Sequence, residues 1–274
     1  MRKIALITGA SKGIGAACAE KFAEGGYDVI ITGRDAAALS ELETRLKAAG
    51  KRGQTSSLDL PSGSRLGEAK AAGADVLSLA FDVRDREQCE QAVASLSGKW
   101  AAVDVLVNNA GLALGLAKEY EADMNDWDTI IDTNIKGLLY MTRLIVPKMV
   151  ERDCGHVINI GSLAGDYAYA GGNVYCATKA AVKAVSDGLR IDVAHTSIRV
   201  TNIKPGLVET NFSVTRFYGD KAKADNVYKG IKPLTGKDIA EVCFFCAAAP
   251  AHVQIAEVLI TATHQANSFV VHRE

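Results

Sequence analysis

Short, nearly continuous apolar runs alternate along this chain with longer stretches in which apolar residues recur every third or fourth position. Residues 3–8 form the first such run, and comparable runs lie at 28–32, 76–81, 103–107, 155–161, 198–204 and 258–263. Runs of that length, apolar on both faces, are the pattern of strands buried in a parallel sheet. Between them, helical periodicity marks residues 16–24, 36–49, 124–152, 175–195 and 238–248, with Pro147 late enough in its helix to kink it without ending it. Strand and helix in alternation predict one α/β domain over residues 1–274, a Rossmann-type doubly wound parallel sheet with helices on both faces.

Two stretches break the rhythm. Residues 51–74 are polar, rich in Gly and Ser, and longer than a helix-to-strand connection needs. The tetrapeptide Lys-Ala-Ala-Gly at 47–50 recurs at 70–73, which hints at a local duplication. Connections of this kind lie at the amino ends of parallel strands, whereas ligands bind at the carboxyl ends, so this insertion is expected to take no part in catalysis. Residues 207–233 form a second long irregular stretch containing Phe212, Arg216, Phe217 and Tyr218, the expected substrate lid.

The first strand runs into Thr8, Gly9, Ala10, Ser11, Lys12, Gly13, Ile14 and Gly15. Strand, glycine turn and helix make a phosphate site, because glycines admit a pyrophosphate close to the backbone and the helix N-terminus offers free N–H groups. The spacing is G-x3-G-x-G, a variant of the general dinucleotide fingerprint. The second strand ends at Gly33, Arg34 and Asp35, where an acidic side chain would bind the ribose hydroxyl of NAD and an arginine would take the 2′-phosphate of NADP. Arg34, with Lys12 in the loop, favours NADP(H); Asp35 speaks for NAD unless it serves instead as the N-cap of the next helix.

Chemistry is expected further on. Tyr175 and Lys179 stand four apart and share a helix face, so the ammonium is expected to lower the phenol's pKa and make Tyr175 a general acid/base. Ser162 follows the run 155–161 and would sit at a strand's carboxyl end, there to hydrogen-bond a substrate oxygen. Asn134 falls inside the helical stretch 124–152, where an Asn is ordinarily exposed or locally bonded.

Taken together, Thr8-Gly-x3-Gly-x-Gly15, Asn108-Asn109-Ala110-Gly111, Asn134, Ser162, Tyr175-x3-Lys179 and Pro205-Gly206 resemble the short-chain dehydrogenase/reductase family, in its order and over nearly the whole chain. The resemblance implies an oxidoreductase in which Asn134, Ser162, Tyr175 and Lys179 are catalytic, with Asn134 holding a water that feeds protons to Lys179. It implies that Asp82 and Val83 contact the adenine, that Asn109, Ala110 and Gly111 line the cofactor's ribose, and that Lys179 binds the nicotinamide ribose. Pro205 and Gly206 would lie near the nicotinamide. The segments at 168–175, 205–210, 216–220 and 271–273 resemble the NADP-dependent 3-hydroxy acid dehydrogenase subgroup, whose members act on serine and L-allo-threonine. A carboxylate substrate needs a cation, and Arg216 in the lid is the candidate. The resemblance further implies a homotetramer with the C-terminal tail at a subunit interface.

Composition narrows the class. A net charge of −1, with no run of Lys or Arg, argues against nucleic acid as the main partner. No stretch reaches the roughly 20 apolar residues of a membrane helix, and the opening residues hold too short an apolar run for an export signal. With six cysteines at irregular positions, a reducing, cytoplasmic setting is expected. Cys243 and Cys246 have metal-pair spacing but stand in an apolar helix with no second pair, so they read as core thiols and no metal is expected. The remaining alternatives are a general NADPH-dependent carbonyl or 3-oxoacyl reductase with a different pocket, and a catalytically silent NADP-binding protein.

Overall fold

The computed structural model of the chain describes residues 2–50 and 73–274, so the insertion expected at 51–74 lies outside the described residues except for its last two positions. The first half runs β1 (Ile4–Ile7), α1 (Gly13–Glu24), β2 (Asp28–Gly33), α2 (Ala36–Gly50), β3 (Val76–Ala80), α3 (Arg86–Ala94) and β4 (Val105–Asn108). It continues through α4 (Met124–Ile131), a π-helical turn at Asp132–Gly137, α5 (Leu138–Glu151), β5 (Gly155–Ile160), α6 (Asn173–Asp192) and β6 (Ile198–Pro205). The last part comprises β7 (Val208–Glu209), α7 (Asn211–Arg216), α8 (Lys221–Asn226), β8 (Leu234–Thr235), α9 (Gly236–Ala248) and β9 (Glu257–Ile260).

The main sheet has seven strands in the order β3-β2-β1-β4-β5-β6-β9, all parallel. Because successive strand residues face opposite ways, the apolar runs feed two cores. Ala5, Ile7, Val29, Ile31, Val107 and Ile158 pack on one face against α1, α2 and α9. Ile4, Leu6, Ile30, Leu106 and Val157 pack on the other against α3 and α5, through Cys89, Val93, Met141, Ile145 and Met149. Cys243 and Cys246 are buried in the first of these cores, as the apolar helix around them predicts.

Three differences from the sequence-based expectation have physical causes. Helix α3 escapes the apolar pattern because it buries only Cys89 and Val93; what starts it is Asp85, whose carboxylate caps the amide of Gln88. The stretch 207–233 is less irregular than its composition suggests, since Thr210 and Asp220 cap the six-residue helices α7 and α8, too short to show a period. The helix expected over 124–152 is interrupted by the π turn around Asn134, while Pro147 is accommodated within α5.

Candidate active site

Strand order reverses between β1, whose sequence continues to β2 on one side, and β4 on the other. A crevice opens at the carboxyl ends of strands at such a point, and it is where ligands bind in doubly wound folds. The glycine loop lies here. Gly9 and Gly13 adopt φ of +64° and +61°, conformations that side chains disfavour. A Cβ on Gly15 would come 2.5 Å from Nδ2 of Asn109, whose amide donates to the carbonyls of Thr8 (2.8 Å) and Gly9 (3.1 Å). The Thr8 hydroxyl accepts from the backbone amides of Asn109 and Ala110, each at 3.0 Å, locking loop and β4 together. Lys12 stands at the N-cap of α1 without a side-chain cap bond, so first-turn amides stay available to an anion. Ile14 packs inward against the core. A cradle that a Cβ would fill, above an open helix N-terminus, fits a dinucleotide's pyrophosphate.

At the end of β2, Asp35 accepts the amide of Ala38 at 3.0 Å, and α2 begins at Ala36. Asp35 is therefore the N-cap. Arg34 is exposed and reaches Asp82 at 3.9 Å, while Ser11 approaches Gly33 closely enough to touch a Cβ placed there at 3.6 Å. The Asp82 carboxylate, although burial opposes its ionisation, is held below its ordinary pKa by hydrogen bonds from Arg84 and the charge of Arg34. Val83 is buried and packs on Gly137 of the π turn.

The four expected catalytic residues converge. Ser162, at the end of β5, lies close enough to the Tyr175 phenol to favour its ionisation, with Oγ donating to Pro205 O at 3.5 Å, and Lys179 Nζ lies 5.8 Å from the centre of the Tyr175 ring. A Cβ on Gly111 would meet Asn134 Oδ1 at 3.2 Å and Lys179 Nζ at 3.5 Å, so these groups flank one point on the β4 loop. The Asn134 side chain is bonded through both its ends: its amide donates to Leu112 O (2.9 Å) and Thr178 Oγ1 (3.0 Å), and its oxygen accepts from Leu112 N (2.9 Å). It thus ties the β4 loop to α6.

Electrostatics depart from the sequence-based expectation at one point. Burial pushes the Tyr175 phenol above its ordinary pKa, aided by Tyr169, and the groups that oppose this are Ser162 and Arg216 rather than Lys179. Lys179 is itself 7% exposed, its Nζ donates to Ile160 O at 2.7 Å, and burial lowers its pKa to about 8. With that pKa the amine is still mostly charged at pH 7, but its hydrogen bond goes to the Ile160 carbonyl.

Arg216, at the end of α7, enters this site from the segment 207–233. Its Nη1 donates to the Tyr169 hydroxyl at 2.6 Å, its Nε donates to Gly115 O at 3.2 Å, and its guanidinium carbon lies 5.7 Å from the centre of the Tyr175 ring. Phe212 packs on Tyr175 with ring centres 5.5 Å apart. Beside them opens a cavity of about 240 Å³ lined by Tyr175, Arg216, Trp127 and Tyr218, with Glu121, Asp123 and Asp126 also on its wall. Pockets for drug-sized ligands run to roughly 300–1,000 Å³, so this one suits a smaller molecule. Pro205 and Gly206 end β6 against Gln265, whose Oε1 accepts the amide of Leu207 at 2.7 Å.

A family model described as short chain dehydrogenase matches residues 3–66 and 61–220. The chain belongs to the short-chain dehydrogenase family. It is 46% identical over 272 residues to the NADP-dependent 3-hydroxy acid dehydrogenase YdfG of Salmonella typhi, covering 98% of this chain and 99% of that one. It is also 39% identical over 270 residues to the serine 3-dehydrogenase of Rhizobium radiobacter, 98% of each being covered. Among solved structures, the closed form of serine dehydrogenase complexed with NADP+ superposes with a TM-score of 0.86 at 42% identity, over 99% of this chain and 100% of that one.

Sequence reasoning missed several residues of this short-chain dehydrogenase's site. Tyr169 holds Arg216 beside Tyr175, Thr178 anchors Asn134, and Gln265 braces the turn after β6, while Phe212, expected only in the lid, packs on the Tyr175 ring. Of these, Thr178 had a readable signal, since it shares the turn of α6 between Tyr175 and Lys179.

Proposed function

We propose that this protein is an NADP-dependent dehydrogenase that interconverts small 3-hydroxy acids, of the serine or L-allo-threonine type, with the matching 3-oxo acids or semialdehydes. The observation that carries this reading is the guanidinium of Arg216 beside the Tyr175 ring, at 5.7 Å. A cation there suits a substrate whose carboxylate lies a short reach from the reacting hydroxyl, because guanidinium grips carboxylate through paired N–H groups. Glu121, Asp123 and Asp126 on the cavity wall carry charge that suits the ammonium of a 3-hydroxy amino acid.

NADP fits along the glycine loop, held by Gly9, Ser11, Lys12, Gly13, Ile14 and Gly15, with Arg34 at its 2′-phosphate and Asp82, Val83, Asn109, Ala110, Gly111, Pro205 and Gly206 along its length. When bound it supplies the acceptor or donor for hydride at the substrate's hydroxyl carbon. The chain's own residues control position and protons. Arg216 anchors the carboxylate. Ser162 Oγ hydrogen-bonds the substrate oxygen and steadies the charge that develops there. In oxidation Tyr175 Oη takes the hydroxyl proton; in reduction it returns one to the carbonyl oxygen. Lys179, its pKa lowered by burial to about 8, exchanges protons with its surroundings and restores Tyr175. Asn134 fixes the β4 loop against α6 and keeps Lys179 in place. Residues 207–233 act as the lid that carries Arg216 over the substrate, and the insertion at 51–74 takes no part in the chemistry.

We further infer a homotetramer with the C-terminal tail at an interface, supported by the exposure of Phe269 (61%) and Val270 (58%). Six free thiols accord with a cytoplasmic setting, and among the described residues no helix is long and apolar enough to cross a membrane.

The test is an absorbance screen for NADPH formation with 3-hydroxy acids, simple alcohols and, in reverse, aldehydes and ketones, with NAD as comparison. Turnover concentrated on carboxylated substrates with NADP supports the reading. Equal turnover of uncharged ketones points instead to a general carbonyl reductase, and no turnover with any substrate despite NADP binding points to a silent relative.

A further inference from the structure

The guanidinium of Arg216 is held between two tyrosines: its carbon lies 5.2 Å from the centre of the Tyr169 ring and 5.7 Å from that of Tyr175. Tyr169 adds a hydrogen bond from Arg216 Nη1 at 2.6 Å. Opposite, Arg216 Nε donates to Gly115 O at 3.2 Å, and the Arg216 carbonyl accepts the Gly115 amide at 2.9 Å. Two of the five guanidinium N–H groups are thereby committed, and none of the hydrogen bonds among the described residues involves Nη2. The side chain is stationed with its outer edge open, the edge a carboxylate uses.

Tyr169 is itself placed. A Cβ on Gly172 would come 2.7 Å from Tyr169 Cδ2, so glycine lets the ring lie flat on the backbone, and Gly172 N donates to Tyr169 O at 3.0 Å. The ring sits in the loop between β5, which leads into Ser162, and α6, which carries Tyr175. Arg216, by contrast, ends a helix of six residues, which offers a long side chain little support.

We propose that Tyr169 is a positioning residue that holds the Arg216 guanidinium in register with the proton-transfer site and so sets the enzyme's preference for carboxylated substrates. The proposal rests on the reading of Arg216 as the carboxylate's partner. Tyr169 acts through Arg216, which lines the cavity beside Tyr175 while Tyr169 stands behind it. It makes the lid's cation part of the fixed floor, so that a carboxylate meets an arginine already oriented.

The test compares 3-hydroxybutanoate with its uncharged methyl ester, both with NADP, in the full-length wild type, Tyr169→Phe, Arg216→Ala and the double variant. Tyr169→Phe keeps the ring beside Gly172 and removes the hydroxyl. Loss of one hydrogen bond to a charged group is worth roughly tenfold or more in affinity. The expected result is a KM for the acid raised about tenfold in Tyr169→Phe with kcat changed less than about threefold, a distinctly smaller effect on the ester, and no further loss on adding Tyr169→Phe to Arg216→Ala. If Arg216→Ala raises the acid's KM selectively and Tyr169→Phe does not, Arg216 needs no such support and the proposal is overturned while the carboxylate reading stands. If Arg216→Ala treats acid and ester alike, both readings fall.

Discussion

Lys179 donates its ammonium to the backbone carbonyl of Ile160, 2.7 Å away, and stands 5.8 Å from the centre of the Tyr175 ring. The two residues share a helix face and a site, with the lysine's hydrogen bond going to the backbone. What the lysine shares with the phenol is burial, which lowers its pKa to about 8.

That burial has a consequence for stability. Below pH 8 the folded protein must hold a buried ammonium, and between about 8 and the ordinary lysine value of 10.5 the unfolded chain binds a proton that the folded one does not. Stability therefore rises with pH across that window, and the cost is fully present below it. Lys179→Met should inactivate the enzyme yet stabilise the cofactor-free protein at pH 7 by roughly 1–3 kcal/mol, the lost Ile160 bond offsetting part of the gain. Urea unfolding at pH 7 and pH 10 checks it: an advantage that fails to shrink at the higher pH would mean that the buried charge is not its source.

Tyr175 stays protonated at neutral pH, because burial raises its pKa and neither Ser162 nor Arg216 offsets that rise. The phenol is set to give a proton to a carbonyl, and it accepts one from an alcohol more readily as pH climbs. The oxidation rate is expected to keep rising with pH from 7 to about 10, and the reduction rate to be flat or to fall. Tyr175→Phe should bind NADP normally, retain its thermal midpoint, and lose about a thousandfold in turnover, within the range that general acid–base catalysis contributes. Stopped-flow rates across pH, with a cofactor titration of the variant, decide the matter, and turnover within tenfold of wild type would remove Tyr175 from the mechanism.

At the other end of the site, Arg34 is exposed while Asp35 is bound to the amide of Ala38 at 3.0 Å. Arg34→Ala is expected to raise the KM for NADP by about tenfold or more, since a charge-assisted contact is lost, and to leave the KM for NAD nearly unchanged. Asp35→Ala should cost about 1 kcal/mol of stability through the lost cap and should not change cofactor preference. An Asp35→Ala variant that gained NADP affinity as strongly as Arg34→Ala lost it would show the carboxylate to be a ribose ligand after all.

The fold was legible because its strands are apolar on both sides, and the site because glycines, Tyr175 and Lys179 sit where strand ends and a helix turn demand them. What the sequence concealed is of another kind. Arg216 is bonded to Tyr169, separated from it in sequence by all of α6 and β6, and only folding brings Nη1 to that hydroxyl at 2.6 Å. Asn134 was legible as a site residue, but its partners Leu112 and Thr178 are backbone and side-chain groups that no spacing relates to it. Helix α3 was hidden for a simpler reason: with Cys89 and Val93 its buried residues, it has almost no apolar stripe to read.

A last prediction concerns a histidine outside the active site. His156, in β5, is 2% exposed; its Nε2 lies 2.8 Å from Thr201 Oγ1, and Thr201 donates its own proton to Ile255 O at 2.6 Å. Thr201 must then accept, which makes Nε2 the protonated nitrogen and leaves Nδ1 buried without a hydrogen-bond partner among the described residues. Burial, with the charge of nearby Arg199, lowers the pKa of His156 from 6.5 to about 3. Between those values the unfolded chain takes up a proton that the folded one refuses, so stability falls as pH drops through the window, by up to about 1.4 kcal/mol per pH unit. His156→Gln retains an N–H for Thr201 and has no proton to gain. Compared by urea unfolding at one protein concentration, the wild type should lose ~2–3 kcal/mol more than this variant between pH 6.5 and pH 4.5; carboxylates, common to both proteins, cancel in the difference, and parallel pH profiles would rule out His156 as the source of acid sensitivity.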